Sequence, residues 1–248
     1  MAITLKSARE LEIMRRAGKI VAEVLELMRQ EVRPGVTTGE LDRMSRELIE
    51  LRGASPSFLG HQGFTASICA SVNEEVVHGI PGPRTLVEGD IFSIDVGALL
   101  EGYHADSALT LPVGEISDKA RRLIEVTEQA FFRGVEFARA GNRIGDISAA
   151  VQQVATDAGY GIVRELTGHG IGRSLWEDPT IPNFGRSGTG AVLRPGMTIA
   201  IEPMFTIGDA RVRILDDGWT IVTDDGELSA HYEHTVLITP EDPELLTR

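Results

Sequence analysis

The sequence predicts an α+β fold in which a helix–helix–strand order occurs twice, the two halves meeting around a shared sheet. Two amphipathic helical stripes open the chain, a β-rich stretch follows them, and the same succession returns about 106 residues later. The 248 residues are 42% apolar and 25% charged, enough to bury a full core.

The first helix opens after Ser7, because Ser7-Ala8-Arg9-Glu10 fits a capping box. Met14, Ala17, Val21, Val24 and Met28 then recur at spacings of three and four, until Arg33-Pro34-Gly35 breaks the pattern. Thr37 with Glu40 starts a second helix that carries Leu41, Met44, Leu48 and Leu51. Strands are expected over residues 66–72 and 89–96, with residues 103–111 pairing back on the latter. A long helix over 117–140 and a shorter one over 145–158 come next, and a Gly-rich, strand-rich segment runs to the end. Residues 34–41 align with 140–147, an offset of 106, and residues 86–95 align with 193–202, an offset of 107. Two features with nearly one offset argue for an internal duplication, with halves of about 7–112 and 117–240 in one domain spanning 1–248. Coincidence among common Gly-and-aliphatic patterns is the alternative. The alignment matches Asp95 with Glu202, so mirrored halves would bring these two acids together.

Composition narrows the function. With 24 basic and 37 acidic residues the net charge is −13, and no Lys/Arg run stands out, so nucleic-acid binding is not expected. One cysteine, Cys69, excludes disulfide frameworks and zinc fingers and suits a reducing compartment. No stretch approaches the roughly 20 apolar residues of a membrane span, and the N-terminus lacks the features of a secretory signal. A cytoplasmic protein is expected.

Several acids sit where an acid is costly. Asp95 lies in Ile91-Phe92-Ser93-Ile94-Asp95-Val96, and an ionised carboxylate among apolar neighbours needs a partner. A hairpin turning near Leu100-Glu101 would set Asp106 opposite it. Two carboxylates so close call for a cation, unless the hairpin simply faces solvent. His169 sits between glycines in Gly168-His169-Gly170-Ile171-Gly172, which also reads as a plain glycine loop. Glu202 closes the second repeated strand, and Glu233 begins the last aliphatic one, where a solvated edge is the alternative. Together Asp95, Asp106, His169, Glu202 and Glu233 form a hard, oxygen-rich set suited to two divalent ions, Co, Mn, Fe or Zn.

The segments Val77-His78-Gly79-Ile80-Pro81, Ile94-Asp95-Val96-Gly97, His104-Ala105-Asp106-Ser107, Gly168-His169-Gly170-Ile171-Gly172, Glu202-Pro203-Met204-Phe205 and Glu233-His234-Thr235 resemble those of the type I methionine aminopeptidases. The resemblance covers essentially the whole chain in order. It implies the pita-bread fold, a pseudo-twofold antiparallel sheet flanked by helices. It also implies that the five residues above ligate two metal ions, that Glu202 is the general acid/base, and that His78 contacts substrate near the scissile carbonyl. The implied reaction is removal of the N-terminal methionine from nascent polypeptides by metal-activated water. Phe64, Cys69 and Trp219 match positions of the side-chain pocket, with Phe58 as a further wall; for Cys69 and Phe64 ordinary core packing is the alternative. The implied partner is the N-terminal Met of a nascent chain, with the ribosome as a candidate place of encounter. A monomer is expected on resemblance alone, with no membrane partner.

Two positions depart from the family pattern. A second substrate-facing histidine usually follows the metal-binding one by seven residues, and here that position holds Trp176. Indole offers one donor and no acceptor, so reduced activity is expected. The alternatives are that the indole N–H takes over the hydrogen bond with modest loss, or that the loop shifts and another donor substitutes. His61 stands where a tyrosine is common, which loosens the expectation of strict methionine preference. The spacing between Glu202 and Glu233 leaves no room for the helical insertion of type II enzymes. Two other functions compete: a re-specialised paralogue acting mainly as a peptide-binding protein, and a proline-specific aminopeptidase of the same fold.

Overall fold

The computed structural model describes residues 3–248. Helix α1 spans Ala8–Glu31 and α2 spans Thr38–Leu51, and each opens with the expected capping box, Ser7 with Glu10 and Thr37 with Glu40. The apolar stripe of α1 is buried from Ile13 to Met28. Five strands follow: β1 (Ser55–Pro56), β2 (Ile68–Val72), β3 (Glu75–Val77), β4 (Ile91–Leu100) and β5 (Tyr103–Pro112). Two more helices come next, α3 (Asp118–Val135) and α4 (Ile144–Ala158). The rest of the chain forms β6 (Gly161–Ile162), β7 (Thr167–Gly170), β8 (Glu177–Pro182), β9 (Thr198–Ile201), β10 (Met204–Thr206), β11 (Val212–Ile214), β12 (Ile221–Thr223), β13 (Ser229–His231), β14 (Glu233–Leu237) and β15 (Glu244–Leu245).

The main sheet runs β1-β4-β5-β14-β9-β7-β8, with β2 also on β4 and β15 on β14. Its central pair is β5–β14, flanked by β4 on one side and β9 on the other. All of its pairings are antiparallel. The buried cluster against the helices includes Phe92, Phe131, Phe205, Met28 and Leu123.

The offsets of 106 and 107 reappear as hydrogen bonds. Gly35 N–H donates to Leu86 C=O and Gly141 N–H to Leu193 C=O; Gly39 N–H donates to Gly82 C=O and Gly145 N–H to Thr189 C=O. Bridges also form at Thr37–Thr85 and Arg143–Val192. Each half therefore closes its second helix onto the turn before its sheet strand in the same way. We propose internal duplication as the cause.

Two expectations need correcting. The long helix ends at Val135, not 140, because Phe137 and Ala138 donate three residues back, to Gly134 and Val135, tightening the last turn. The hairpin turns at Glu101-Gly102, both at positive φ (48° and 82°), so Asp95 pairs with Ala108 and Asp106 with Gly97. The two acids are diagonal neighbours on one face rather than directly opposed.

Candidate metal centre and its pocket

The register of four strands builds one row of side chains. Cys69 on β2 pairs with Asp95 on β4, Asp95 with Ala108 on β5, and Ala108 with Glu233 on β14. Directly opposed residues share a face, so Cys69, Asp95 and Glu233 point to the same side, and the small Ala108 leaves room between the acids. Asp106 lies two residues along β5 on that face, its N–H donating to Thr235 Oγ1 at 3.0 Å and its C=O accepting from the same hydroxyl at 2.9 Å. Glu202 follows Ile201, the last β9 residue paired with β14, and its C=O accepts from Asn183 Nδ2 at 2.9 Å.

His169 completes the set from β7. Gly168 lies so close to β9 that an added Cβ would stand 2.3 Å from the Ala200 carbonyl oxygen, so only glycine admits this approach. The His169 Nδ1 sits 2.9 Å from the Gly170 C=O and donates to it, which leaves the Nε2 lone pair directed at Glu202 Oε1, 3.6 Å away.

These side chains form one wall of a cavity of about 280 Å³. The same cavity is lined by every other residue that the sequence singled out: Phe58, His61, Phe64, Cys69, His78, Trp176 and Trp219. Desolvation is the first cause of the shifted protonation here. It raises Asp95, Asp106, Glu202 and Glu233 above the usual carboxylate range, and the acids' mutual repulsion adds to the rise for the last three. Desolvation lowers His169 to about 4 and also lowers His78, so both imidazoles are neutral near pH 7. His78 adopts a positive φ of 58°, a sparsely populated conformation for a non-glycine residue.

The donor set fits a metal. Asp95 Oδ1, Asp106 Oδ1 and Glu233 Oε1 are buried atoms without a hydrogen-bond partner. Among the described residues lining the cavity none is Lys or Arg, so no protein cation offsets the four acids. Ligating atoms of Asp106, His169 and Glu233, and those of Glu202, His231 and Glu233, lie within 4.8 Å of one another. Oxygen-rich sites with one or two imidazoles suit divalent transition ions.

The profile of metallopeptidase family M24 matches residues 12–240. The chain is 54% identical over 245 residues to the methionine aminopeptidase of Clostridium perfringens, covering 99% of this chain and 98% of that one. It is 50% identical to methionine aminopeptidase 1 of Bacillus subtilis, with 99% of each covered. The crystal structure of methionine aminopeptidase from Thermotoga maritima superposes with a TM-score of 0.98 at 44% identity, covering 100% of both chains. The chain belongs to the methionine aminopeptidase family. It is thus a divalent-metal peptidase with the pita-bread fold expected from the sequence. Proline-specific relatives stand further off: prolidase from Pyrococcus furiosus is 25% identical with a TM-score of 0.81, and the match covers 98% of this chain but 65% of that one. The proline-specific and binding-only alternatives are therefore not favoured.

Within this family frame the departures become concrete. Trp176, 39% exposed, sets its ring edge-on to His61 at 4.8 Å and to His169 at 6.4 Å. Trp219 packs edge-on against Phe64 at 5.1 Å and lies edge-on to His78 at 6.3 Å. The segment carrying Trp176 is tethered from the N-terminus: Lys6 Nζ and Thr4 Oγ1 donate to Glu177 Oε2 at 2.7 and 2.8 Å, and Glu177 Oε1 accepts from Ser174 N–H. Sequence reasoning missed Val77, Glu165, Leu166, Thr167, Leu175 and Met204 in the cavity wall. It also missed His231, whose spacing of two before Glu233 was the available signal.

Among the described residues no helix is long and apolar enough to cross a membrane.

Proposed function

We propose that the protein removes N-terminal methionine from nascent chains in the cytoplasm by hydrolysis, with Asp95, Asp106, His169, Glu202 and Glu233 holding two divalent ions of the Co, Mn, Fe or Zn kind. The observation that carries this reading is the convergence of four carboxylates and an imidazole, with unpartnered oxygens, on one wall of a cavity whose remaining lining is largely apolar. Bound there, such ions supply Lewis acidity toward the scissile carbonyl and toward a water molecule.

The protein's own groups supply the rest. Glu202, whose carboxylate holds a proton more readily than a solvated one, takes the proton of the attacking water on a side-chain oxygen and returns it to the leaving amine. His78, neutral through desolvation, offers a ring N–H to the scissile carbonyl oxygen. Phe58, Phe64, Cys69 and Trp219 bound the apolar part of the cavity, where an unbranched thioether packs well. Trp176 and His61 form the facing wall and set the geometry of the next peptide unit.

The test is release of free methionine from Met-Ala-Ser and Met-Gly-Met-Met by chelator-stripped protein, with and without Co²⁺ or Mn²⁺, and Ala-Pro-Ala as control. Metal-dependent release from the two methionyl peptides alone is expected. Release of alanine instead, or no release with metal present, would overturn the reading.

A further inference from the structure

His231 is a buried imidazole at the metal centre that none of the roles above uses. Its side chain is 2% exposed, and its Nε2 is a buried atom with no hydrogen-bond partner. That nitrogen lies 3.7 Å from Glu202 Oε2 and 3.9 Å from Glu233 Oε2. The backbone fixes it there: His231 N–H donates to Thr110 Oγ1 at 2.9 Å, its C=O accepts from the same hydroxyl at 3.0 Å, and it pairs with Met204 across β13–β10.

Distance decides between two roles. Hydrogen bonds from imidazole to carboxylate span about 2.7–3.2 Å, and both separations exceed that range. Two atoms bound to one ion at about 2.1 Å each stand roughly 3–4 Å apart, and both separations fall inside that range. His169 Nε2 stands at nearly the same distance, 3.6 Å, from the other oxygen of Glu202. The Glu202 carboxylate is thus flanked by two imidazoles, one facing each oxygen.

We propose that His231 is a nitrogen ligand of the ion held by Glu202 and Glu233, giving the centre an imidazole at each end. This rests on the metal reading above and adds a consequence to it. Imidazole favours Co²⁺ and Zn²⁺ over Mn²⁺ more than carboxylate or carboxamide oxygen does, so His231 tilts metal choice toward the nitrogen-seeking ions.

The experiment compares the wild-type chain with His231→Gln and His231→Ala, first confirming that the three metal-free proteins melt cooperatively at similar temperatures. Co²⁺ and Mn²⁺ affinities are then measured by competition with a chromogenic chelator, and the visible absorption of the Co²⁺ forms is recorded. Removing a partner that merely orients a ligand typically weakens metal binding about 10–100-fold, and losing a ligand costs at least as much. Both variants should therefore lose at least about tenfold in Co²⁺ affinity, lose less in Mn²⁺ affinity, and change the Co²⁺ spectrum. Wild-type affinity and spectrum in His231→Gln, which keeps an N–H donor, would overturn ligation in favour of hydrogen bonding. Equal binding by all three proteins would overturn this inference alone, whereas no binding by the wild type would overturn the metal reading with it.

Discussion

At position 176 the chain places an indole against the His61 ring and near His169, at the edge of the cavity. Indole has one N–H and no lone pair to offer, whereas imidazole has both, so a transition-state contact that needs an imidazole is weakened here. Trp176→His is expected to raise kcat on Met-Ala-Ser by about tenfold or more, within the 10²–10³ that one oxyanion donor can supply. Unchanged turnover would show that the indole N–H already suffices. Glu202→Gln keeps the shape but cannot carry the proton, and kcat should fall by about 10²–10⁴, read by the same methionine-release assay. The five acid-and-histidine positions stood out in the sequence for different reasons. Asp95 and Glu202 interrupt or close aliphatic runs and His169 sits between glycines, whereas Asp106 was singled out by its spacing from Asp95, and Glu233 as the start of the last aliphatic strand. Only part of the placement of His231 was legible: its spacing of two before Glu233 was the available signal, whereas its proximity to Glu202 depends on β13 pairing with β10, which no local spacing records.

Elements were legible where a local signal fixes them and obscure where packing does. Ser7 with Glu10 and Thr37 with Glu40 announced both opening helices to the residue. The β4–β5 register was misread because Glu101-Gly102 lacks the Asn-Gly or Asp-Gly signature of a two-residue turn. Strand β7 depends on a close approach that only the fold reveals. Gly168→Ala would drive a Cβ to 2.3 Å from the Ala200 carbonyl, backbone against backbone. It should cost about 1–3 kcal/mol in urea melts and displace His169, weakening metal binding; full retention of both would refute the contact. The tether of the neighbouring segment makes a pH prediction. Desolvation opposes ionisation of Glu177, but the Lys6 and Thr4 hydrogen bonds prevail and depress its pKa. A depressed acid contributes stability that is complete above its unfolded value, about 4.3, and is lost as pH falls through the folded value. Lys6→Met should therefore destabilise the protein by about 1–3 kcal/mol at pH 6, with the difference shrinking below about pH 4. A difference independent of pH would place the stabilisation elsewhere.

Across the whole molecule the candidate ligands come from β4, β5, β7, the end of β9 and the start of β14, spanning the chain from Asp95 to Glu233. Their strands lie on both sides of the central β5–β14 pair. An ion bound by them joins the two halves of the sheet, and without it four acids repel one another with no protein cation in the cavity. Metal that binds the folded chain and not the unfolded one stabilises it by mass action, about 2.7 kcal/mol at a free concentration a hundred times Kd. For a chain of 248 residues each kcal/mol moves the melting temperature by about 2–4 °C, so chelation should lower Tm by about 5–10 °C. Differential scanning calorimetry with EDTA and with Co²⁺ or Mn²⁺ measures it directly. Because the ligands are shared between halves, the loss should appear as one shifted transition. Two separate transitions after chelation would show that the halves are stabilised independently, and an unmoved Tm would show that no ion bridges them.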